Sequence, residues 1–301
     1  MLSVFPNFKK LEISDKSYIE RHTKKFPPYS DFNFASLWAW NQKENVEISI
    51  LNNNLVVKFQ DYTVHNYFYS FIGDNEIIKT IDALLSLSKK KNFEENLKLI
   101  PESNFSKIEF LTAKKHYLIT EDNNNHDYIL DVKKLSTMEG KELHHKRKRL
   151  NNFLKNNSYD VSAHILNISD KQSVIDLFFL WEKLRNKNRE ETKNELDAIN
   201  RLFTNVEELD LTIINVANHK GPIGYTIFEI IDDEYAISNF QKADPRYIGS
   251  YELLNFEMAK YLYKERVKSV NIEQDLGIEG LRRAKLDYNP TYLKKYIIKR
   301  K

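Results

Sequence analysis

Apolar and polar residues recur with two different periods in the first 130 residues. In SDFNFASLWAW (30–40) the apolar residues recur at helical spacing behind Ser30 or Asp31, either of which can cap a helix. Three later runs alternate with period two, which predicts antiparallel strands joined by Asn-rich turns: EISILN, LVVKFQ and YFYSFIG. IIKTIDALLSLSKKK (77–91) predicts an amphipathic helix, and KIEFL (107–111) predicts a further strand. The first half is therefore α+β.

A second unit begins near YILDVKKL (128–135). Its pattern predicts helices at 140–157, 169–187, 195–206 and 250–266, with strands at 161–166, 211–217, 222–231, 234–240 and 269–273. From residue 161 the order is strand, helix, helix, three strands, helix, strand, helix, strand, which is the plan of the GNAT acetyltransferase superfamily. We therefore predict a mixed α/β, α+β protein of two tandem GNAT-like acyltransferase domains, residues 1–130 and 131–301, each a mostly antiparallel sheet flanked by helices.

Composition restricts the classes of function. With 41% apolar and 13% aromatic residues, the 301-residue chain folds and is long enough for two domains. It contains no cysteine, which excludes disulfides, thiol nucleophiles and cysteine-ligated metals. No metal site is expected at His144 and His145, because adjacent helical residues point about 100° apart. We find no signal pattern and no apolar run near about 18 residues, so we expect a cytoplasmic protein.

Positive charge is concentrated although the net charge is only +3. Residues 141–155 contain six Lys or Arg and one acid, and residues 282–301 contain eight Lys or Arg and one acid. Such patches attract polyanions even when the whole chain is nearly neutral.

The segment QKADPRYIGSYELLN (241–255) follows the fourth strand of the GNAT plan. In that plan the backbone N–H groups of this turn bind the pyrophosphate of coenzyme A. Arg246 and Gly249 match the expected pattern, whereas Tyr251 stands where a small residue is needed. A plain helix start after a turn explains the same residues.

The segment EQDLGIEGLRRAKLDYNP (273–290) concentrates turn formers and cations. Asp275 can fix a turn, and Gly277 and Gly280 allow backbone conformations or close approaches that other residues do not. Arg282, Arg283 and Lys285 follow within about 1.5 turns of helix. The pattern predicts an anion site, while a strand end, a helix start and a solvated basic face would also produce it.

Four blocks of the chain together resemble an uncharacterised bacterial family that is similar to the C-terminal catalytic domain of phosphatidylglycerol lysyltransferase. The blocks are residues 30–40, 127–153, 241–255 and 273–290. Gln241 stands where we expect a glutamate, so the expected carboxylate is missing there. The resemblance marks three groups of residues as matching the family's motifs. They are Gly140, His145, Lys146, Arg147 and Asn151; Lys242, Ala243, Asp244, Gly249 and Asn255; and Asp275, Gly277, Gly280, Leu281, Arg282, Lys285, Tyr288 and Pro290.

The resemblance implies transfer of an aminoacyl group from aminoacyl-tRNA to a lipid or other small acceptor, with no further cofactor. If the acceptor is a lipid, we expect the protein to meet it peripherally through the basic patches, at the inner face of the membrane. On this hypothesis the donor site contains Arg246, Gly249, Gly277, Gly280, Arg282, Lys285 and Lys242, the tRNA backbone meets Lys146, Arg147 and Arg149, and Asp275 or Tyr288 orients the nucleophile.

Two alternatives remain open from the sequence. An N-acyltransferase that uses acetyl-coenzyme A would bind it at the Arg246–Gly249 turn. A non-catalytic domain pair would bind nucleic acid or an anionic membrane surface through the basic helices. The sequence identifies neither the amino acid nor the acceptor, and it does not give the oligomeric state.

Overall fold

The computed structural model describes residues 3–41, 43–61 and 66–301. The chain forms two compact units: residues up to 127 together with 292–301 make the first, and residues 128–291 make the second. Each unit carries helices and a mostly antiparallel sheet, so the predicted α+β class is confirmed. The sequence prediction assigned residues 292–301 to the second domain, whereas the structure places them in the first unit.

The first unit is built on one sheet. Its elements are β1 (Lys9–Lys10), α1 (Lys16–Thr23), α2 (Phe34–Ala39), β2 (Glu47–Leu51), β3 (Asn54–Gln60), β4 (Tyr67–Ile72), α3 (Ile77–Lys90), β5 (Asn96–Pro101), α4 (Lys107–His116), β6 (Tyr117–Glu121) and β14 (Lys295–Arg300). The strand order is β1-β2-β3-β4-β5-β14-β6. Neighbouring strands are antiparallel except β4 and β5, which are parallel.

Helix α4 replaces the strand that we predicted at KIEFL, and that prediction is wrong. The Ser106 hydroxyl accepts a hydrogen bond from the backbone N–H of Glu109, and the Glu109 carboxylate accepts one from the backbone N–H of Ser106. This reciprocal capping satisfies two N–H groups at the helix start and favours a helix over a short apolar strand. Ala113 is the buried residue of this helix.

A fully buried ammonium group anchors β14 in the first unit. Lys295 Nζ lies 2.9 Å from Asp127 Oδ1 and also pairs with the carboxylate of Asp31. The Ser30 hydroxyl donates to Asp127 Oδ1 at 2.6 Å, so three distant segments meet here. Burial alone would lower the pKa of Lys295, but the two carboxylates outweigh it and raise that pKa. Lys295 is therefore a charged structural group in a dry site.

The second unit contains another sheet. Its elements are β7 (Asp127–Asp131), α5 (Val132–Thr137), α6 (His144–Asn156), β8 (Asp160–Ile165), α7 (Lys171–Leu184), α8 (Arg189–Leu202), β9 (Thr212–Asn218), β10 (Gly221–Ile230), β11 (Tyr235–Ala243), α9 (Ser250–Lys264), β12 (Ser269–Asn271) and α10 (Glu279–Leu286), and β13 (Thr291–Leu293) follows at the boundary of the units. The strand order within the unit is β7-β12-β11-β10-β9-β8, with β11 and β12 parallel. In neither unit is a described helix both long and apolar enough to cross a membrane.

Helices cover both faces of this second sheet. Leu254 and Met258 of α9 and Phe153 of α6 share one buried apolar cluster. Successive side chains of a strand point to opposite faces. Accordingly, Gln241 of β11 contacts α9, while its neighbour Lys242 contacts α7 and α8.

We expect Lys295→Met to lower the free energy of unfolding by about 3–5 kcal/mol, because it leaves two carboxylates buried without their cation. Lys294→Met is the matched control. The neighbouring ammonium forms an exposed pair with Glu121, so its loss costs about 1 kcal/mol or less. Urea unfolding of the two variants measures the difference, and equal losses would contradict the assignment.

Candidate functional site

The loop that follows β12 is folded around its own carboxylate. Asp275 is fully buried and accepts a hydrogen bond from the backbone N–H of Gly277 at 2.7 Å. It also accepts two from Arg282, from Nε and Nη2, each at 2.8 Å, and one from the hydroxyl of Tyr128. Burial would raise the pKa of Asp275, but these hydrogen bonds outweigh it and lower that pKa. Asp275 is thus an ionised clamp rather than a proton acceptor.

The cations of this loop face the chain's own acceptors. Lys285 Nζ donates to the backbone carbonyls of Ile272, Glu273 and Gln274 at 2.6, 3.1 and 2.7 Å, which accounts for the three protons of an ammonium group. Together with the Arg282 clamp, this arrangement differs from the phosphate-binding role that we predicted. These carbonyls lie just past the end of β12, and the ammonium group satisfies hydrogen-bonding capacity that the sheet leaves open there.

The two glycines of the loop differ in role. Gly277 has a φ of +76°, in the left-handed region that favours glycine. Gly280 lies in α10, and a Cβ added to it would meet no atom within 4 Å. Of the two glycines, Gly277 is therefore the one whose backbone conformation favours glycine.

Tyr288 ends a chain of hydrogen-bonded side-chain amides. Asn255 Nδ2 donates to the Tyr288 hydroxyl at 2.9 Å, and Gln241 Nε2 donates to Asn255 Oδ1 at 2.9 Å. Burial, reinforced by the charge of Glu252, raises the pKa of Tyr288. The phenol is therefore protonated near neutral pH and serves as a hydrogen-bond acceptor. Gln241, where we expected a glutamate, is the first donor of this chain.

The three predicted tRNA contacts on α6 have different environments. Lys146 is buried, 3.5 Å from Glu252 and 3.8 Å from Asp287, with its ammonium over the Tyr288 ring. Arg147 donates to the carbonyls of residues 138 and 140, at 2.6 and 3.1 Å. Arg149 is half exposed and pairs with Glu252 at 3.0 Å. Lys146 thus faces the interior, because helical periodicity places it on the same side as Leu143, Leu150 and Phe153.

A different basic face of α6 and the preceding turn is open to solvent. Lys141, His144, His145, Lys148 and Lys155 are exposed. The first four recur at three- and four-residue intervals, and Lys155 follows about two helical turns after Lys148. Beside them is a concave region of about 620 Å³ lined by Gly140, Lys141, His144, His145 and Arg147. This face, rather than Lys146, presents positive charge outward.

The turn before α9 serves helix packing. Gly249 has a φ of +96°, and a Cβ there would lie 2.3 Å from the carbonyl oxygen of Arg149 in α6. Arg246 is paired with Asp244, Nη2 to Oδ2, at 2.6 Å. In the first turn of α9, where a phosphate would bind, Glu252 places a buried carboxylate. The Arg246 and Gly249 pattern thus arises from an ion pair and a close helix contact.

Lys242 lies in an aromatic and acidic environment on the opposite face of the sheet. Its Nζ is 2.5 Å from Glu195 Oε1 of α8, and 4.2 and 5.5 Å from the ring centroids of Trp181 and Phe178 of α7. The Lys242 side chain is 9% exposed, and that of Glu195 is 28% exposed. The nearly buried ammonium group of Lys242 is therefore linked to solvent through the Glu195 carboxylate.

Tyr225 faces Lys242 across the β10–β11 ladder. Its hydroxyl is buried without a hydrogen-bond partner among the described residues, and burial raises its pKa. Sequence reasoning missed Glu195 and Tyr225, because Glu195 is 47 positions from Lys242 and neither residue belongs to a local motif. Lys242, Glu195 and Tyr225, with the two α7 rings, form what we call the Lys242 site.

No metal site accompanies these groups in the described ranges. Across residues 3–41, 43–61 and 66–301, no three His, Asp or Glu side chains converge as a metal ion would require. The Lys242 site itself offers an ammonium, a carboxylate and a phenol. Such a set can stabilise a developing negative charge and move a proton.

Comparison with solved structures shows the class of fold. L-PGS from Bacillus licheniformis superimposes with a TM-score of 0.61 at 13% identity, covering 95% of this chain and 92% of that one. The two proteins thus share a fold of two helix-flanked, mostly antiparallel sheets, and the predicted tandem GNAT-like fold class is confirmed. A conserved protein of unknown function from Bacteroides thetaiotaomicron is more similar, with a TM-score of 0.85 at 27% identity over 98% of this chain and 99% of that chain.

Sequence comparison gives the family. The chain matches the family described as phosphatidylglycerol lysyltransferase, C-terminal, over residues 23–299, and it belongs to that family. An uncharacterized protein of Mycoplasmoides gallisepticum is 22% identical over 209 residues, which is 68% of this chain and 66% of that protein's length. The resemblance read from the four sequence blocks is confirmed.

We expect Gly249→Ala to lower the free energy of unfolding by at least about 2 kcal/mol. The added Cβ meets the Arg149 carbonyl, and the residue has a positive φ. Gly280→Ala is the matched control, and it should leave stability unchanged or raise it by about 0.5–1 kcal/mol in a helix. Urea unfolding measures both variants. Equal effects would mean that the turn before α9 is not a packing contact.

Proposed function

We propose that this protein transfers an aminoacyl group from aminoacyl-tRNA to a lipid or another small acceptor. Membership in the phosphatidylglycerol lysyltransferase C-terminal family and a GNAT-like fold support an acyltransferase. The assignment of aminoacyl-tRNA as the donor is part of the proposal.

The observation that carries this choice is the packing of Gly249 against α6. A coenzyme A pyrophosphate needs space and free N–H groups at the start of the helix. Here the Arg149 carbonyl fills the space beside Gly249, and the buried carboxylate of Glu252 would repel the phosphates. This arrangement disfavours the acetyl-coenzyme A alternative at that turn. Aminoacyl-tRNA carries its phosphates outside the protein fold, so neither the Arg149 carbonyl nor the Glu252 carboxylate hinders it.

The exposed face of α6 supports a nucleic acid as the carrier. Lys141, Lys148 and Lys155 project outward with His144 and His145 between them, while Glu142 is 3.9 Å from Lys134. Phosphate contacts supply most of the sequence-independent affinity for nucleic acids. We therefore assign the tRNA backbone to this face and leave Lys146 as a structural residue.

The Lys242 site is suited to the chemistry of ester aminolysis or transesterification. The hydroxyl or amine of the acceptor attacks the ester carbonyl, a new C–O or C–N bond forms, and the bond to the tRNA ribose oxygen breaks. We assign the Lys242 ammonium to the negative carbonyl oxygen, and Glu195 to the proton that passes from the nucleophile to the ribose oxygen. Neither step needs a covalent enzyme intermediate.

Transfer of label from a mixed pool of radiolabelled aminoacyl-tRNA into a lipid extract tests the proposal. We expect wild type to move label, and Lys242→Met to lower the rate by about a hundredfold or more, as loss of an oxyanion donor does. Lys260→Met is the matched control, since Lys260 pairs with Glu257 at 2.8 Å and lies over Phe256 but is half exposed. It should keep the wild-type rate.

Two outcomes would contradict the proposal. One is acyl transfer by wild type from acetyl-coenzyme A but not from aminoacyl-tRNA. The other is tRNA binding without turnover, which would favour a binding module. Asp275→Asn is a poor variant for this purpose, because it breaks the clamp on Arg282 and Gly277 and disturbs the fold as well.

A separate binding experiment tests the tRNA face. We expect tRNA affinity to fall steeply with salt, and Lys141→Gln combined with Lys148→Gln to reduce the slope of log affinity against log salt by about 2. Lys268→Gln, an exposed lysine of the same unit paired with Glu234, should leave the slope unchanged. Fluorescence anisotropy measures the slopes. Salt-independent binding, or an unchanged slope in the double variant, would contradict the assignment.

A further inference from the structure

Helix α4 of the first unit exposes large apolar side chains that the fold does not use. Ile108 is 77% exposed and Leu111 is 56% exposed, while Ala113 is fully buried. At 100° per residue, Ile108 and Leu111 lie on the face opposite Ala113. The helix thus turns its small residue inward and its large aliphatic residues outward.

Three exposed lysines lie next to these apolar residues. Lys115 falls between Ile108 and Leu111 around the helix, and Lys107 and Lys114 both lie beside Leu111, on one side of the apolar pair. Lys301 Nζ donates to the Lys115 carbonyl at 3.1 Å, which brings another cation to the same helix end. Glu109, the acid of this helix, is held at the helix start by the Ser106 N–H. The outer face is therefore apolar and positive at once.

We propose that this α4 face, formed by Lys107, Ile108, Leu111, Lys114 and Lys115, docks on an anionic lipid surface. Isoleucine and leucine side chains enter the boundary between headgroups and acyl chains, while long lysine side chains reach the phosphates. The charge of the face is complementary to an anionic leaflet. A protein partner fits less well, because the cores of protein interfaces are depleted in lysine and enriched in aromatic residues.

This inference goes beyond the proposed reaction, and it is independent of the donor. It concerns only the first unit, whereas the Lys242 site and the tRNA face belong to the second. Lipid binding is therefore measurable without tRNA, and a failure of either proposal leaves the other standing.

Sedimentation with vesicles tests the α4 face. We expect the protein to bind vesicles of equal parts phosphatidylglycerol and phosphatidylcholine, and to bind pure phosphatidylcholine vesicles far more weakly. Ile108→Ser with Leu111→Ser should lower the partition coefficient at least about tenfold. Lys107→Gln, Lys114→Gln and Lys115→Gln together should lower it about a hundredfold, at about fivefold for each lysine.

The matched control is Ile165→Ser with Ile168→Ser, which removes two isoleucines of the second unit that are 62% and 58% exposed. It should leave the partition coefficient unchanged. The proposal is overturned by absence of binding to the anionic vesicles at low salt, or by equal effects of the α4 and control variants. It is also overturned if the wild type is a dimer that the α4 variants convert to a monomer, since a second copy would then cover this face.

Discussion

A charge that leaves water must meet an opposite charge or a set of dipoles, and in this protein that constraint determines the positions of several basic residues. Lys295 meets two carboxylates of the first unit. Lys146 lies near Glu252 and Asp287, and Lys285 meets three backbone carbonyls. Each pairing joins segments that are distant along the chain or closes a loop. Lys146 and Lys285, which the sequence indicated as ligand contacts, therefore act with Lys295 as structural residues.

The same constraint separates structural cations from available ones. Basic residues on the buried side of α6 are neutralised internally, whereas those on its outer side remain solvated. Lys242 is intermediate, because its partner Glu195 is itself partly exposed. Its ammonium is largely desolvated and remains connected to the surface through that carboxylate. This combination of a buried charge and one route to solvent distinguishes the Lys242 site from the buried pairs of Lys295 with Asp127 and of Lys146 with Glu252.

Local patterns predicted much of the fold. The apolar spacing of α3 and α9 and the alternation in β2, β3 and β4 follow from backbone periodicity alone, and the structure contains these elements. KIEFL was misread because its short apolar run fits either state, and the reciprocal Ser106–Glu109 capping decides for a helix. The Asp275 turn was visible in the sequence, but the pairing of Lys242 with Glu195 was not, since it depends on how α8 packs on the sheet.

The position of β14 has a consequence for synthesis on the ribosome. This strand lies between β5 and β6 in the first sheet, yet in the chain it follows all of residues 128–291. While the intervening residues are made, β5 and β6 each present an unpaired edge, and such edges are prone to pair with other chains. The first sheet therefore stays incomplete until residues 128–291 have been translated. We therefore expect chaperones to bind the first unit more than the second unit during synthesis.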